Sequence, residues 1–180
     1  MSIYVDLRDK LYDSLLVALP TSTIIQAYNN GPEPQTPYVV YDVVSVNEIG
    51  REYISTLVST NTQQIISQYE VRVRVEFIGE QSGESNFAAA ELSNNFYFDV
   101  NKTNIQETFL KNNLSYMRKD TIKRVPKKRE TDWYMCYQVD LIFGYQVESR
   151  QNVDSINSVE VTSVYTKPTD TNPVVITSII

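Results

Sequence analysis

Two stretches of the chain alternate strictly between apolar and polar positions. In Gln68–Gly79, Tyr69, Val71, Val73, Val75 and Phe77 fall on one face, while Glu70, Arg72, Arg74 and Glu76 fall on the other. Trp133–Tyr145 repeats the pattern with Trp133, Met135, Tyr137, Val139, Leu141, Phe143 and Tyr145. A period of two belongs to a β-strand with one buried face. At about 3.3 Å per residue each run spans roughly 30–40 Å, long for a strand. The two are read as the paired spine of one antiparallel or mixed sheet.

The rest of the pattern arranges itself around that spine. Tyr4–Leu19 places Leu7, Leu11, Leu15, Ala18 and Leu19 on one stripe of a helix, which Pro20 stops. Thr21–Tyr28 is a short strand or helical turn with Ile24 and Ile25 inside. Residues 29–37 hold Gly31 and three prolines and form a loop. Tyr38–Val46, rich in β-branched and aromatic residues, is a strand. Asn47–Ser67 reads as a hairpin or extended arm, with the central strand starting as early as Thr62. Ser85 is the expected N-cap of a helix reaching Tyr97, with the apolar Phe87, Ala88, Leu92 and Phe96 near helical spacing. A helix over Thr103–Asn112 puts Ile105, Phe109 and Leu110 inward and ends on Asn112-Asn113 in a left-handed turn. Tyr116 and Ile122–Val125 suggest a short edge strand entering a mobile basic loop. Val159–Tyr165 is one more strand, and Lys167–Ile180 is a tail ending in apolar residues.

This order predicts an α+β fold. A single antiparallel or mixed sheet with long strands carries the N-terminal helix and two central helices on one face, with an extended C-terminal tail. Residues 1–150 form one domain and 151–180 a C-terminal strand and arm, hinged in the polar stretch Ser149–Ser158. A chain of 180 residues is long enough to bury about 70% of its unfolded surface.

Composition then removes function classes. Twenty-two acidic residues against 16 basic ones give a net charge of −6, which argues against general phosphate binding. No histidine is present, so the usual proton shuttle, the Ser–His and Cys–His nucleophile pairs and the commonest zinc ligand are all missing. The single cysteine, Cys136, allows no internal disulfide, and its place in a strand reads as a small packed side chain. The N-terminal stretch carries charges where a secretory signal needs an apolar centre, and no run reaches the ~18 apolar residues of a membrane helix. The expectation is a soluble protein made inside a cell, with no membrane, cofactor or metal. Thirteen tyrosines hint at a component of an assembly.

Candidate chemistry is therefore sought in contact surfaces. Arg118, Lys119, Lys123, Arg124, Lys127, Lys128 and Arg129 form the one strong charge run. It reads as a solvated loop, as a contact with acidic patches of a neighbouring copy, or as a contact with a nucleic-acid backbone. Few aromatics lie there to stack bases, which argues against base reading. Arg72 and Arg74 read as members of cross-strand ion pairs or of an inter-subunit face. Asp140 has no evident partner in the sequence. Val174, Val175, Ile176, Ile179 and Ile180 are too apolar for a free tail. They are read as an added strand, either on a neighbouring subunit or on the edge of the chain's own sheet.

One more observation comes from the order of parts. An LRDKLYDSLLVALP helix, an IIQAYNN stretch, a proline-rich loop closing on PYVVY, the YEVRVRVEFIG strand, the Phe87–Phe96 helix and an IKRVP…WYMCYQVDLIF ending follow one another. Over residues 4–147 this resembles the neck or tail terminator proteins of tailed bacteriophages. The resemblance implies a homo-hexameric ring that caps the tail tube and joins it, with or without a sheath protein, to the neck or connector. It further implies a lumen through which genomic DNA passes, no catalysis, and a place in the virion after assembly in the bacterial host cytoplasm. Another small virion component (minor capsid, tail completion or baseplate subunit) and a monomeric protein-binding module are the alternatives.

Overall fold

In a computed structural model the two alternating stretches become the two longest strands. The structure describes residues 3–28, 31–57, 62–80, 84–129, 132–152, 160–165 and 174–179, with the backbone alone at 56–57, 129 and the last two segments. The chain divides into two compact units, one of residues 1–53 and 66–148, the other of 54–65 and 149–180.

The elements follow the order α1 (Ile3–Ala18), β1 (Ile24–Gln26), β2 (Tyr38–Glu48), β3 (Tyr53–Leu57), β4 (Thr62–Glu80), α2 (Glu84–Asp99), α3 (Thr103–Lys111), β5 (Leu114–Lys119), β6 (Lys123–Arg129), β7 (Asp132–Asn152), β8 (Glu160–Tyr165) and β9 (Val174–Ile179). The first seven strands form one mixed sheet with the path β1-β2-β4-β7-β5, in which β3 pairs with β4 and β6 with β7. β1 and β2 pair in parallel; β2–β4, β5–β7 and β6–β7 are antiparallel. Contacts from Arg74 to Asp140 and from Gln138 to Glu76 step in opposite directions along β4 and β7, as an antiparallel pair requires. The fold is α+β with an open mixed sheet, as the pattern predicts.

In the larger unit, β2 follows β4 as far as Glu48↔Tyr69, and Gly50 then turns the chain with φ +76°. The other edge is built the same way. β5 and β6 run along β7 in succession, and the Asp120 amide keeps the ladder by donating to the Asp140 carbonyl at 2.8 Å. The basic segment is therefore paired strand through most of its length, which corrects the expected mobile loop. Its lysines, arginines and Pro126 suit an edge, where charge and proline oppose unwanted pairing.

All three helices pack on the sheet face that carries Val39, Tyr41, Val71, Val73, Val75, Phe77, Val139, Leu141 and Phe143. Leu7, Leu11, Leu15, Ala18 and Leu19 are buried there as the helical stripe predicts. Phe77 meets Phe96 at 5.4 Å and Phe109 meets Phe143 at 4.9 Å, each aromatic pair adding about 0.5–1.5 kcal/mol beyond area burial. The buried Ser14 hydroxyl donates to the Lys10 carbonyl and accepts from Asn112, so it carries no unpaired cost. Asn113 ends α3 at φ 59°, in the expected left-handed conformation.

Four local expectations need correction. Phe87 is exposed, because the inner face of α2 is set by Ala89, Ser93 and Phe96 at helical spacing, which turns position 87 outward. Leu110 is exposed beside the buried Phe109, since adjacent helical positions lie about 100° apart. Ser85 lies inside α2, and its hydroxyl accepts from the Glu80 amide rather than capping the helix. Ile25 is half-buried while Ile24 is buried.

In the smaller unit, β3 lies along the start of β4, and Gln151 donates to Gln63. There β8 and β9 form a separate antiparallel pair running from Glu160↔Ile179 to Tyr165↔Val174.

Candidate functional site

The second face of the large sheet carries no helix among the described residues, and it divides by chemistry. At one end Tyr38, Val40, Ile78 and Cys136 form a small apolar cluster with Ile25, Ala27 and Tyr134. There the proline-rich loop contributes Glu33, which accepts from the Tyr38 hydroxyl. Cys136 is fully buried in this cluster.

Further along, the same face becomes a ladder of ions. Asp140 in β7 is only 5% exposed, and Arg74 in β4 grips it with Nε–Oδ1 at 2.9 Å and Nη2–Oδ2 at 3.3 Å. Arg72 stands 3.8 Å from the same carboxylate and 4.0 Å from Asp120. Lys127 of β6 pairs with Glu76 at 2.6 Å, and Gln138 donates to the other oxygen of that carboxylate at 2.7 Å. Arg118 lies 4.0 Å from Glu70. Arg72 and Arg74 thus take up the acid that has no visible partner in the sequence. They face Asp140 because β4 and β7 are neighbours, a proximity no spacing along the chain reveals.

Strand alternation splits the basic run. Arg118, Lys123 and Lys127 point to the helix-free side, opposite Ile142, Gln138 and Tyr134. Lys119, Arg124 and Lys128 point to the other side, opposite Leu141, Tyr137 and Trp133. Lys119 sits 3.9 Å over the ring of Tyr97 and donates to the Tyr97 carbonyl in the last turn of α2, where the helix dipole favours a cation. Burial pushes its amine below the ordinary lysine range. Arg124 Nε reaches the Met135 sulfur at 3.1 Å. Lys123, Arg124 and Lys128 are exposed and form no ion pair with a described residue. The side chain of Arg129 is outside the described residues. Val174, Val175, Ile176 and Ile179 lie in β9, while Ile180 is outside the described residues.

A cleft of about 800 Å³ opens on the larger unit beside Asp6, Lys10, Tyr69, Met117 and Tyr145. Its central ions satisfy each other. Lys10 pairs with Asp6 at 2.8 Å, and the Tyr145 hydroxyl donates to the same Asp6 oxygen. The bond from Lys10, then that from Tyr145, holds the Asp6 carboxyl below its ordinary value. Burial raises the Tyr145 phenol above its ordinary value. This triad joins α1 to β7. Among the described residues no three His, Cys, Asp or Glu side chains group as a metal site. No helix there is long and apolar enough to cross a membrane.

An open sheet with helices on one face, an ionic ladder on the other and a cationic edge is a framework for contact with other proteins. The family model of the phage neck terminator protein matches residues 4–169. The chain belongs to the phage neck terminator family. It is accordingly a structural component of the phage neck, and its assembly involves other tail or neck proteins. No curated protein matches the chain.

Some surface features escape the sequence reading. Phe98 and Trp133 are exposed, as is Phe87. The signal for the first was present, since Phe87 and Phe98 stand eleven positions apart and share one stripe of a helix.

Proposed function

We propose that the protein is a ring subunit, six copies to a ring, that closes the tail tube and joins it to the neck or connector. Genomic DNA passes through the lumen, and the subunit performs no catalysis. The family membership over residues 4–169 is the observation that carries this reading. Its edge cations and ion ladder supply polar surface for neighbours without a continuous basic track, which suits a channel that does not hold DNA. The ring forms in the bacterial host cytoplasm and resides at the neck–tail junction of the virion.

In this reading adjacent virion subunits meet both faces of this edge: Arg118, Lys123 and Lys127 with Arg72 and Arg74 on the helix-free face, and Lys119, Arg124 and Lys128 on the opposite face, with Arg129 at the strand's end. Residues 1–150 form the ring body. Residues 151–180 form an arm whose β9 clasps a sibling subunit or a tube, sheath or neck protein. Mass measurement of the purified protein with negative-stain imaging, alone and with tail tubes added, tests the proposal. Six-fold rings with an open centre, free or seated on tube ends, are the expected result. A chain that stays monomeric and leaves tube ends bare overturns it. Deleting Lys167–Ile180 should lower the assembled fraction, and unchanged assembly removes the clasp.

A further inference from the structure

The exposed cations of β6 and the exposed aromatics of α2 form two patches of opposite character. On β6, Arg124 and Lys128 border a strand edge that has no partner among the described residues, beside exposed Pro126 and the 47% exposed Trp133. On α2, Phe87 is 77% and Phe98 70% exposed, and eleven positions place them about 20° apart around the helix. Glu84 and Glu91 share that outward stripe, and neither forms an ion pair with a described residue. One patch is aromatic with acidic members, the other aromatic with basic members. Their lengths also agree. Glu84 to Phe98 spans about 21 Å of helix, and Lys123 to Lys128 about 17 Å of strand.

A ring is built by a head-to-tail contact, which needs two different and complementary patches on every subunit. Both are present on this chain, so the partner that fits each is a second copy. We propose that α2 of one subunit covers the β6 edge of the next, with Phe87 and Phe98 against Trp133 and Pro126, and Glu84 and Glu91 against Arg124 and Lys128. The contact rests on the ring reading and specifies its surfaces. A helix laid over a strand edge also removes the hazard of an uncovered edge. Desolvated aromatic anchors inside a charged rim are the usual composition of a strong contact.

The test mixes ¹⁴N- and ¹⁵N-labelled full-length protein and joins touching carboxylates and amines with a zero-length carbodiimide, with and without tail tubes. Mixed-isotope links from Glu84 or Glu91 to Lys128 are the expected product. Glu91→Lys alone should weaken self-association about tenfold, as should Lys128→Glu alone, and combining them should restore it. Both positions are exposed, and an unchanged circular dichroism spectrum and Tm confirm that each variant is folded. Links between copies that avoid both patches, or a double variant that stays weak, overturn this contact while leaving the ring intact. A chain that links to no other copy, alone or with tubes, overturns the contact and the ring together.

Discussion

Replacing Asp140 with Asn should remove about 2 kcal/mol of stability. The amide keeps the shape of the side chain but discards its charge and turns an NH₂ group toward the Arg74 guanidinium. In the native protein that carboxylate is 5% exposed, is held at 2.9 and 3.3 Å by Arg74, and stands 3.8 Å from Arg72. Removing one member of a fully buried pair costs about 3–5 kcal/mol. Here the two guanidinium side chains are 36% and 39% exposed, so they recover part of their hydration, which brings the loss to roughly 2 kcal/mol. For a chain of this size that corresponds to a Tm lower by about 4–8 °C. Urea unfolding followed by circular dichroism measures the loss. Arg74→Gln and the double variant complete a cycle, with an expected coupling of about 1 kcal/mol or more. A loss under about 0.5 kcal/mol for Asp140→Asn, or strictly additive losses, would refute the claim that this pair ties β4 to β7.

Other perturbations follow from the packing and the protonation states. Gly79→Ala should destabilise by about 1–3 kcal/mol in the same assay, because a Cβ there would meet the Ser85 carbonyl oxygen at 2.6 Å and the Ala89 Cβ at 3.0 Å; an unchanged midpoint would refute that packing. Asp6→Asn should lower stability at neutral pH and flatten its acid limb. The Asp6 carboxyl is held below its ordinary 3.8, so its contribution is present above that value and is lost as pH falls through the lower folded value. Acid titrations of unfolding that superimpose for the two proteins would deny the Lys10–Asp6–Tyr145 triad a role. Burial raises the Tyr41 phenol from 10.0 to about 12, so the contribution is complete below pH 10 and falls as pH rises toward 12. Tyr41→Phe should therefore lose less stability over that interval than the native protein does, as read by unfolding at stepped alkaline pH.

Much of the fold was legible because local periodicity and burial agreed. The alternation of Tyr69–Phe77 and Met135–Tyr145 named both long strands and their buried faces. The Leu7, Leu11, Leu15 stripe named α1, and Asn113 marked the end of α3. Errors arose where neighbouring helical positions compete for one face. Phe87 and Leu110 are as apolar as Ala89 and Phe109, and composition cannot say which of them the sheet admits. The basic segment was misjudged for a related reason. Its charge resembles that of a loop, but its pairing with β7 satisfies its backbone and makes it an edge.

By itself the sequence determined which side-chain chemistries the chain lacks, where its two long strands and first helix lie, and which faces of these are buried. Those follow from side-chain type and from the periods of 2 and 3.6, which are properties of neighbours along the chain. Only the tertiary structure decided that Asp140 meets Arg72 and Arg74, that Lys127 meets Glu76 while Lys123 and Lys128 form no ion pair with a described residue, and that Phe87 and Phe98 face outward. These depend on strand order, on register and on which side of each strand a residue occupies. A partner 66 positions away along the chain becomes a neighbour at 2.9 Å only when the sheet forms.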